Sequence, residues 1–277
     1  MKKIPFYKMS GSGNDFILID NRDGIVDDRY LNQLVVGACR RKMSVGADGL
    51  LLVEKSSRAD FKWRFYNSDG SRAEMCGNGA RCASRFAFLT GITGPELSFE
   101  TDVGLVTAEI INDRVKIGMT DPTDLRENGT LLVNGATLSY DFINTGVPHV
   151  VISIDDVESM DVFELGGAVR HHEVFSPAGT NVNFVEPVGD NTIAVRTYER
   201  GVENETLACG TGCVAASLVM CLKYQWPSPI NVRTRSNAML RVYYTFEEGG
   251  FTRIHLEGDA RVIYHGTLWK EAWEGVY

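Results

Sequence analysis

Two cysteines open near-identical phrases, Cys76-Gly77-Asn78-Gly79 and Cys209-Gly210-Thr211-Gly212, and each phrase runs straight into a long apolar stretch. They lie 133 residues apart (209 − 76), close to half of the 277-residue chain. The same offset carries Gly13 onto Gly146, Asp28 onto Asp161 and Gly46 onto Gly179. Several anchors at one spacing mark an internal duplication. The chain is thereby restricted to folds built from two copies of one unit, with one thiol in each copy.

The rest of the pattern says what that unit contains. Segments in which β-branched and aromatic residues alternate between turn signals predict strands at 15–20, 50–54, 63–67, 97–100, 105–111 and 114–119. The second half repeats them at 150–154, 183–186, 192–197, 230–234, 239–246 and 252–257. Helices are predicted over 28–41 and 161–172, each headed by an aspartate cap, and two more follow the cysteine phrases. The helix after Cys209 is apolar on nearly every face, which predicts burial rather than an amphipathic surface position. The expected fold is α+β: two pseudo-symmetric duplicated domains, each a curved, mostly antiparallel sheet wrapped around a central helix, with the active site in the cleft between them. Domain boundaries are expected at 1–120 and 121–263, with Asp121-Pro122-Thr123-Asp124 as the crossover and the segment 264–277 returning to the first domain.

Composition removes several function classes. A net charge of −8 without a Lys/Arg run argues against nucleic acid or an anionic membrane as partner. No window approaches the roughly 18 apolar residues of a membrane span, and the N-terminal residues lack the apolar core of a signal peptide. A cytoplasmic location and a small-molecule substrate are expected. The six cysteines are read as free thiols, with Cys82, Cys213 and Cys221 as core hydrophobes. A zinc or thiol-redox protein is disfavoured because no C-x-x-C occurs, and the glycines at 11, 13, 77 and 79 complete no nucleotide-binding fingerprint.

The paired thiols point to proton transfer. Removing the α-proton of an amino acid leaves a carbanion, which an enzyme without an electron-sink cofactor must stabilise electrostatically. Amides at a helix N-terminus bind a carboxylate and stabilise charge spreading onto it. The amides of Gly77, Asn78, Gly210 and Thr211 are expected to form such a cradle from two helices. The same helix field is expected to lower a thiol pKa so that one thiol ionises near neutrality in a solvent-reachable site. Two neighbouring thiols cannot both ionise easily, so one thiolate and one thiol form an acid/base pair, Cys76 and Cys209, needing neither metal nor pyridoxal cofactor.

The run from Asn67 to Arg81, including Glu74-Met75-Cys76-Gly77-Asn78-Gly79, and the run from Tyr198 to Gly212, including Glu199-Arg200-Gly201 and Cys209-Gly210-Thr211-Gly212, resemble the two signatures of the diaminopimelate epimerase family. Gly11-Ser12-Gly13-Asn14-Asp15-Phe16 also fits, and the resemblance spans Lys8 to Tyr264. It implies cofactor-independent interconversion of LL- and meso-2,6-diaminopimelate, a step toward lysine and peptidoglycan in bacteria. It further implies that Asn14, Asn67, Asn181, Glu199 and Arg200 hold the distal amino-acid group, that His149 and Glu199 influence the cysteines, and that Tyr264 lies at a homodimer contact. Two positions depart from the pattern: Val147 stands where some members carry a substrate-binding Asn, and Gly49 where some carry a Gln. A proline racemase-like racemase with the same opposed thiols is the alternative, and Glu199-Arg200 with the Asn set favours a substrate with a second charged end.

Overall fold

A computed structural model describes residues 3–274 of the chain. The expected domain ranges begin and end beyond this, so 1–2 and 275–277 lie outside the described residues. The chain forms two compact units, one running up to Ile117 and resumed from Asp259 onward, the other Gly118–Gly258.

The first unit contains strands β1 (Ile4–Gly11), β2 (Asn14–Asp20), β3 (Gly49–Glu54), β4 (Phe61–Asn67), the short β5 (Arg72–Ala73), β6 (Glu96–Thr101), β7 (Gly104–Ile111) and β8 (Arg114–Gly118). Helix α1 (Leu31–Cys39) joins β2 to β3, and α2 (Gly77–Leu89) lies between β5 and β6. The second unit contains β9 (Thr123–Val133), β10 (Ala136–Asn144), β11 (Pro148–Ser153), β12 (Asn181–Gly189), β13 (Thr192–Glu199), β14 (Asn204–Thr206), β15 (Ile230–Arg233), β16 (Met239–Glu247) and β17 (Gly250–Asp259). Its helices are α3 (Val162–Arg170) and α4 (Gly210–Tyr224), and β18 (Arg261–Leu268) follows in the resumed part of the first unit.

The duplication extends to the hydrogen-bonding pattern. In the first unit the strands run β18-β1-β2-β3-β4-β6-β7-β8, paired antiparallel except for β2 with β3 and β4 with β6. In the second they run β9-β10-β11-β12-β13-β15-β16, antiparallel except for β11 with β12 and β13 with β15, and β17 continues antiparallel beyond β16. The parallel links fall where a helix makes the crossover, as parallel pairing requires. The 133-residue offset carries the first residue of α2 onto the first residue of α4. It also carries Asn67, at the end of β4, onto Arg200, just past β13. The strand beside β1 comes from the far end of the sequence, whereas its equivalent beside β10, β9, directly precedes β10.

Both faces of each sheet are covered, so the central strands read as near-continuous apolar runs. In β2 and β3, Ile17, Ile19, Leu50 and Leu52 point into a core with Leu34, Val35 and Ala38 of α1, joined by Leu268 and Trp273. The alternate residues Phe16, Leu18, Leu51 and Val53 are equally buried on the opposite face. The second unit repeats this with Phe142, Val150, Ile152, Val182 and Phe184 gathered with Val162 and Val169 of α3. Helix α4 is buried at every residue from Gly212 to Cys221, as its unbroken apolar sequence predicts.

Several local expectations are corrected. The first helix does not start on Asp28: Asp27 caps a single 3-10 turn, Asp28–Tyr30, and α1 follows it. Asp161 does cap α3, accepting from the Glu164 amide at 2.9 Å. The sequence reading places no strand at β1, β5, β9, β10, β14 or β18, and Thr123-Asp124 lies inside β9 rather than in a crossover. In β9 the burial is confined to Leu131 and Val133, and the residues before them, Leu125 included, are exposed apart from the half-buried Gly129, so the strand carries no sustained apolar alternation.

Candidate functional site

Each phrase with its cysteine does the same local job. Cys76 and Cys209 occupy the position before the first helical residue, with extended backbones (φ −151°, ψ 118° and φ −105°, ψ 111°). The first helical bonds run from the Ala80 amide to the Cys76 carbonyl, 2.8 Å, and from the Cys213 amide to the Cys209 carbonyl, 2.9 Å. The amides of residues 77–79 and 210–212 precede those bonds and have no partner within their helices. Each helix therefore presents a positive end beside one sulfur.

Around Cys76 the first unit assembles an acceptor. The Ser12-Gly13 turn between β1 and β2 has positive φ at both residues (54° and 92°), the backbone of a tight hairpin. It brings Asn14 to Cys76, whose thiol donates to Asn14 Oδ1 at 3.5 Å. The Asn14 amide nitrogen donates to Asp48 Oδ2 at 2.7 Å, which turns the amide oxygen toward the sulfur. Behind it, Arg41 bridges Asp15 (2.6 Å) and Asp48 (2.8 Å), and Lys8 donates to Asp15 at 2.7 Å and to the Gly46 carbonyl. Burial raises the Asp15 pKa, but the hydrogen bonds from Arg41 and Lys8 outweigh it and hold the carboxyl at about 2. Asn78, on the first turn of α2, accepts from the buried Arg81 at 2.8 Å, and Arg81 also reaches Ser12 Oγ and the Asp259 carbonyl. Asn67 closes the turn after β4 by donating to Ser71 Oγ at 3.0 Å.

Around Cys209 the second unit assembles a chain of polar contacts. Thr211 Oγ1 lies 3.5 Å from Cys209 Sγ and 2.9 Å from His149 Nε2. Asn183 Nδ2 lies 3.1 Å from His149 Nδ1, donates to the Val150 carbonyl at 2.8 Å, and accepts through Oδ1 from Thr197 Oγ1 at 3.0 Å. His149 and Asn183 are fully buried. Burial, reinforced by the charge of Arg200, lowers the His149 pKa to about 3 and keeps the ring neutral. Burial pushes the Cys209 thiol well above its ordinary pKa and Glu199 adds to the rise, against the pull of the Thr211 hydroxyl and the Gly212 amide. The expectation of a solvent-reachable thiol with a lowered pKa is therefore overturned at Cys209, because it is buried beside a carboxylate. Burial also raises the pKa of Glu199.

The remaining predicted residues divide by position. Asn181 spends its side chain on backbone, donating to the Pro148 carbonyl at 3.2 Å and accepting from the Arg200 amide at 2.8 Å. It thereby fixes the turn that carries Glu199 and Arg200, and Arg200 donates to the Ala178 carbonyl at 3.0 Å. Val147 precedes β11 at the position equivalent to Asn14. Gly49 is buried, and a Cβ there would sit 2.6 Å from the Tyr66 carbonyl oxygen, so packing alone calls for glycine at this place. Tyr264 lies on β18, half-exposed, with its ring edge-on to Phe6 at 5.9 Å. Sequence reasoning missed Asn183, Thr197, Asp48 and Arg41; the one available signal was a lone amide in the apolar run Val182-Asn183-Phe184-Val185. Among the described residues, no three His, Cys, Asp or Glu side chains gather as a metal site, and no helix is long and apolar enough to cross a membrane.

The family model described as Diaminopimelate epimerase matches residues 6–125 and 142–247, which include both cysteine phrases. The chain belongs to the diaminopimelate epimerase family. The diaminopimelate epimerase of Aquifex aeolicus is 46% identical over 282 residues, covering 98% of this chain and 100% of that relative. Membership makes the chain an enzyme of the isomerase class. Its fold is shared more widely. A PhzF-family phenazine biosynthesis protein of Bacillus anthracis superposes with a TM-score of 0.76 at 14% identity, covering 97% of this chain and 100% of that one. A hydroxyproline epimerase of Agrobacterium vitis, solved with bound trans-4-hydroxy-L-proline, gives a TM-score of 0.67 at 16% identity, covering 99% and 98%. At such identities the likeness is one of fold, and it agrees with the duplicated α+β architecture.

Proposed function

We propose that the chain interconverts LL- and meso-2,6-diaminopimelate without metal or organic cofactor, using Cys76 and Cys209 as its acid/base pair. The observation that carries this reading is that each of two topologically equivalent units caps its central helix with one cysteine. In the proposed step a thiolate removes the α-proton, the electron pair of the broken C–H bond spreads onto the carboxylate, and the other thiol delivers its proton to the opposite face. The amides of Gly77, Asn78, Gly210 and Thr211 bind that carboxylate and stabilise the developing charge. Asn14, Asn67, Glu199 and Arg200 hold the distal amino-acid end, where a carboxylate and a guanidinium complement an amino and a carboxylate group. Asn181 acts there through the turn it fixes. His149 and Glu199 set the environment of Cys209.

The reading places the enzyme in lysine and peptidoglycan precursor synthesis, as a cytoplasmic homodimer with Tyr264 at the contact. Its test is an assay of purified protein on LL-diaminopimelate with no added cofactor, beside a panel containing L-proline and hydroxyproline. Epimerisation of diaminopimelate alone supports it. Turnover of the cyclic amino acids in preference would replace it with a proline racemase-like activity.

A further inference from the structure

The hydrogen bonds behind Cys209 have a direction that the heavy atoms determine. Asn183 is the starting point. Its side-chain nitrogen lies 2.8 Å from the Val150 carbonyl oxygen, an atom that only accepts, so this end of the amide is the NH2 group. Thr197 Oγ1, at 3.0 Å from Oδ1, satisfies the other end by donating to it. The second N–H of Asn183 then faces His149 Nδ1 at 3.1 Å, and a ring nitrogen that meets a donor carries a lone pair. A neutral imidazole has one N–H, so the proton is on Nε2 and is donated to Thr211 Oγ1 at 2.9 Å. A hydroxyl whose oxygen already accepts from the imidazole has its own proton free for Cys209 Sγ at 3.5 Å.

We propose that Asn183 is a positioning residue: it locks His149 in the Nε2–H tautomer so that Thr211 donates to Cys209 and stabilises negative charge on that sulfur. The inference deepens the two-thiol reading and rests on it for its relevance to turnover. The first unit has the opposite polarity, since Cys76 meets the oxygen of Asn14, an acceptor suited to a protonated thiol. Nothing equivalent to the relay can form there, because the offset places Phe16 against His149, Leu50 against Asn183 and Arg64 against Thr197. The relay is built to close tolerances: a Cβ on Gly212 would fall 2.3 Å from Asn183 Oδ1. The charged and titratable groups acting on Cys209 are Glu199 of β13 and Cys213 of α4, both of which oppose ionisation, and Arg200 acts on His149. The relay is the local counterweight to them.

The tautomer is read directly by long-range 1H–15N NMR of His149 in the unmodified enzyme, and the ionisation of Cys209 by titrating its 13Cβ resonance. The expected wild-type spectrum is that of the neutral Nε2–H form. Asn183→Asp, which replaces the donor by an acceptor of the same shape, should switch His149 to Nδ1–H and move the Cys209 midpoint upward by about 1 pH unit. Thr211→Val should raise the midpoint similarly while leaving the tautomer unchanged. A wild-type Nδ1–H tautomer overturns the proposal, as does a Cys209 midpoint that stays put in Thr211→Val. None of these signals depends on turnover, so they separate from the failure of the two-thiol reading, which would appear as full activity in a Cys209→Ala enzyme.

Discussion

The third residue of each helix is a glycine, Gly79 in α2 and Gly212 in α4, and the duplication makes them equivalent. Their surroundings differ. A Cβ at Gly79 would meet its nearest neighbours, Cys76 Cβ, Leu51 Cδ1 and Phe16 Cζ, at 3.6 Å, which is ordinary van der Waals contact. A Cβ at Gly212 would lie 2.3 Å from Asn183 Oδ1 and 3.3 Å from Cys209 Cβ. Asn183 cannot turn aside at small cost, because it holds the Val150 carbonyl, His149 and Thr197 in a fully buried place. Gly212→Ala should break at least one of these bonds, at about 1–3 kcal/mol, and add overpacking of about 1–3 kcal/mol. A combined loss of about 2–6 kcal/mol corresponds, at about 2 °C per kcal/mol for a chain of this size, to a fall in Tm of roughly 4–12 °C. Gly79→Ala should cost nothing and gain up to about 1 kcal/mol from helix propensity. Thermal unfolding of both variants followed by circular dichroism checks this. Equal shifts in the two variants, or a Gly212→Ala protein within about 1 kcal/mol of wild type, would refute the packing on which the reasoning depends.

Four further outcomes are expected. Cys76→Ala and Cys209→Ala should each abolish epimerisation with the circular dichroism spectrum unchanged; near-normal turnover by either would end the two-thiol mechanism. In deuterated water the new epimer should gain α-deuterium well before the remaining substrate does, as followed by NMR, whereas equal early labelling would mean one shared base. His149 has its folded pKa lowered from 6.5 to about 3, so the stability it contributes is present above about pH 6.5 and lost as pH falls through that window. His149→Gln should therefore flatten the acid side of the stability curve between about pH 6 and 3, measured by urea unfolding. Asp15, held at about 2 against an ordinary 3.8, contributes at most about 2 kcal/mol, present above pH 4 and lost toward pH 2, so Asp15→Asn should destabilise at pH 7 and have little effect near pH 2.

Strong local signals were legible. The helix starts at Cys76 and Cys209, the buried strands β2, β3, β11 and β12, and the Asp161 cap all stand in the sequence as apolar periodicity or capping chemistry. The strands without a local signal lack it for different reasons. β18 is paired with β1 across some 250 residues of sequence, and β9 is exposed along most of its length. Asp28 misled because two adjacent aspartates offer the same cap, and the 3-10 turn gives the role to Asp27.

The sequence by itself determined that the chain is a duplication, that each copy has a central helix, and that one cysteine precedes each helix, because these are properties of residues close together in the chain. Tertiary structure alone decided how unlike the two cysteines are. Their local phrases differ by a single residue, Asn78 against Thr211, yet one sulfur meets an amide oxygen and the other a hydroxyl held by a buried histidine. Asn14 stands 62 residues before Cys76; Thr211 belongs to the phrase itself, but the His149 that holds it stands 62 residues before it, and burial beside Glu199 raises the Cys209 pKa where the helix end alone would lower it. Desolvation and hydrogen-bond direction depend on everything packed around a group, and no local pattern in the chain encodes them.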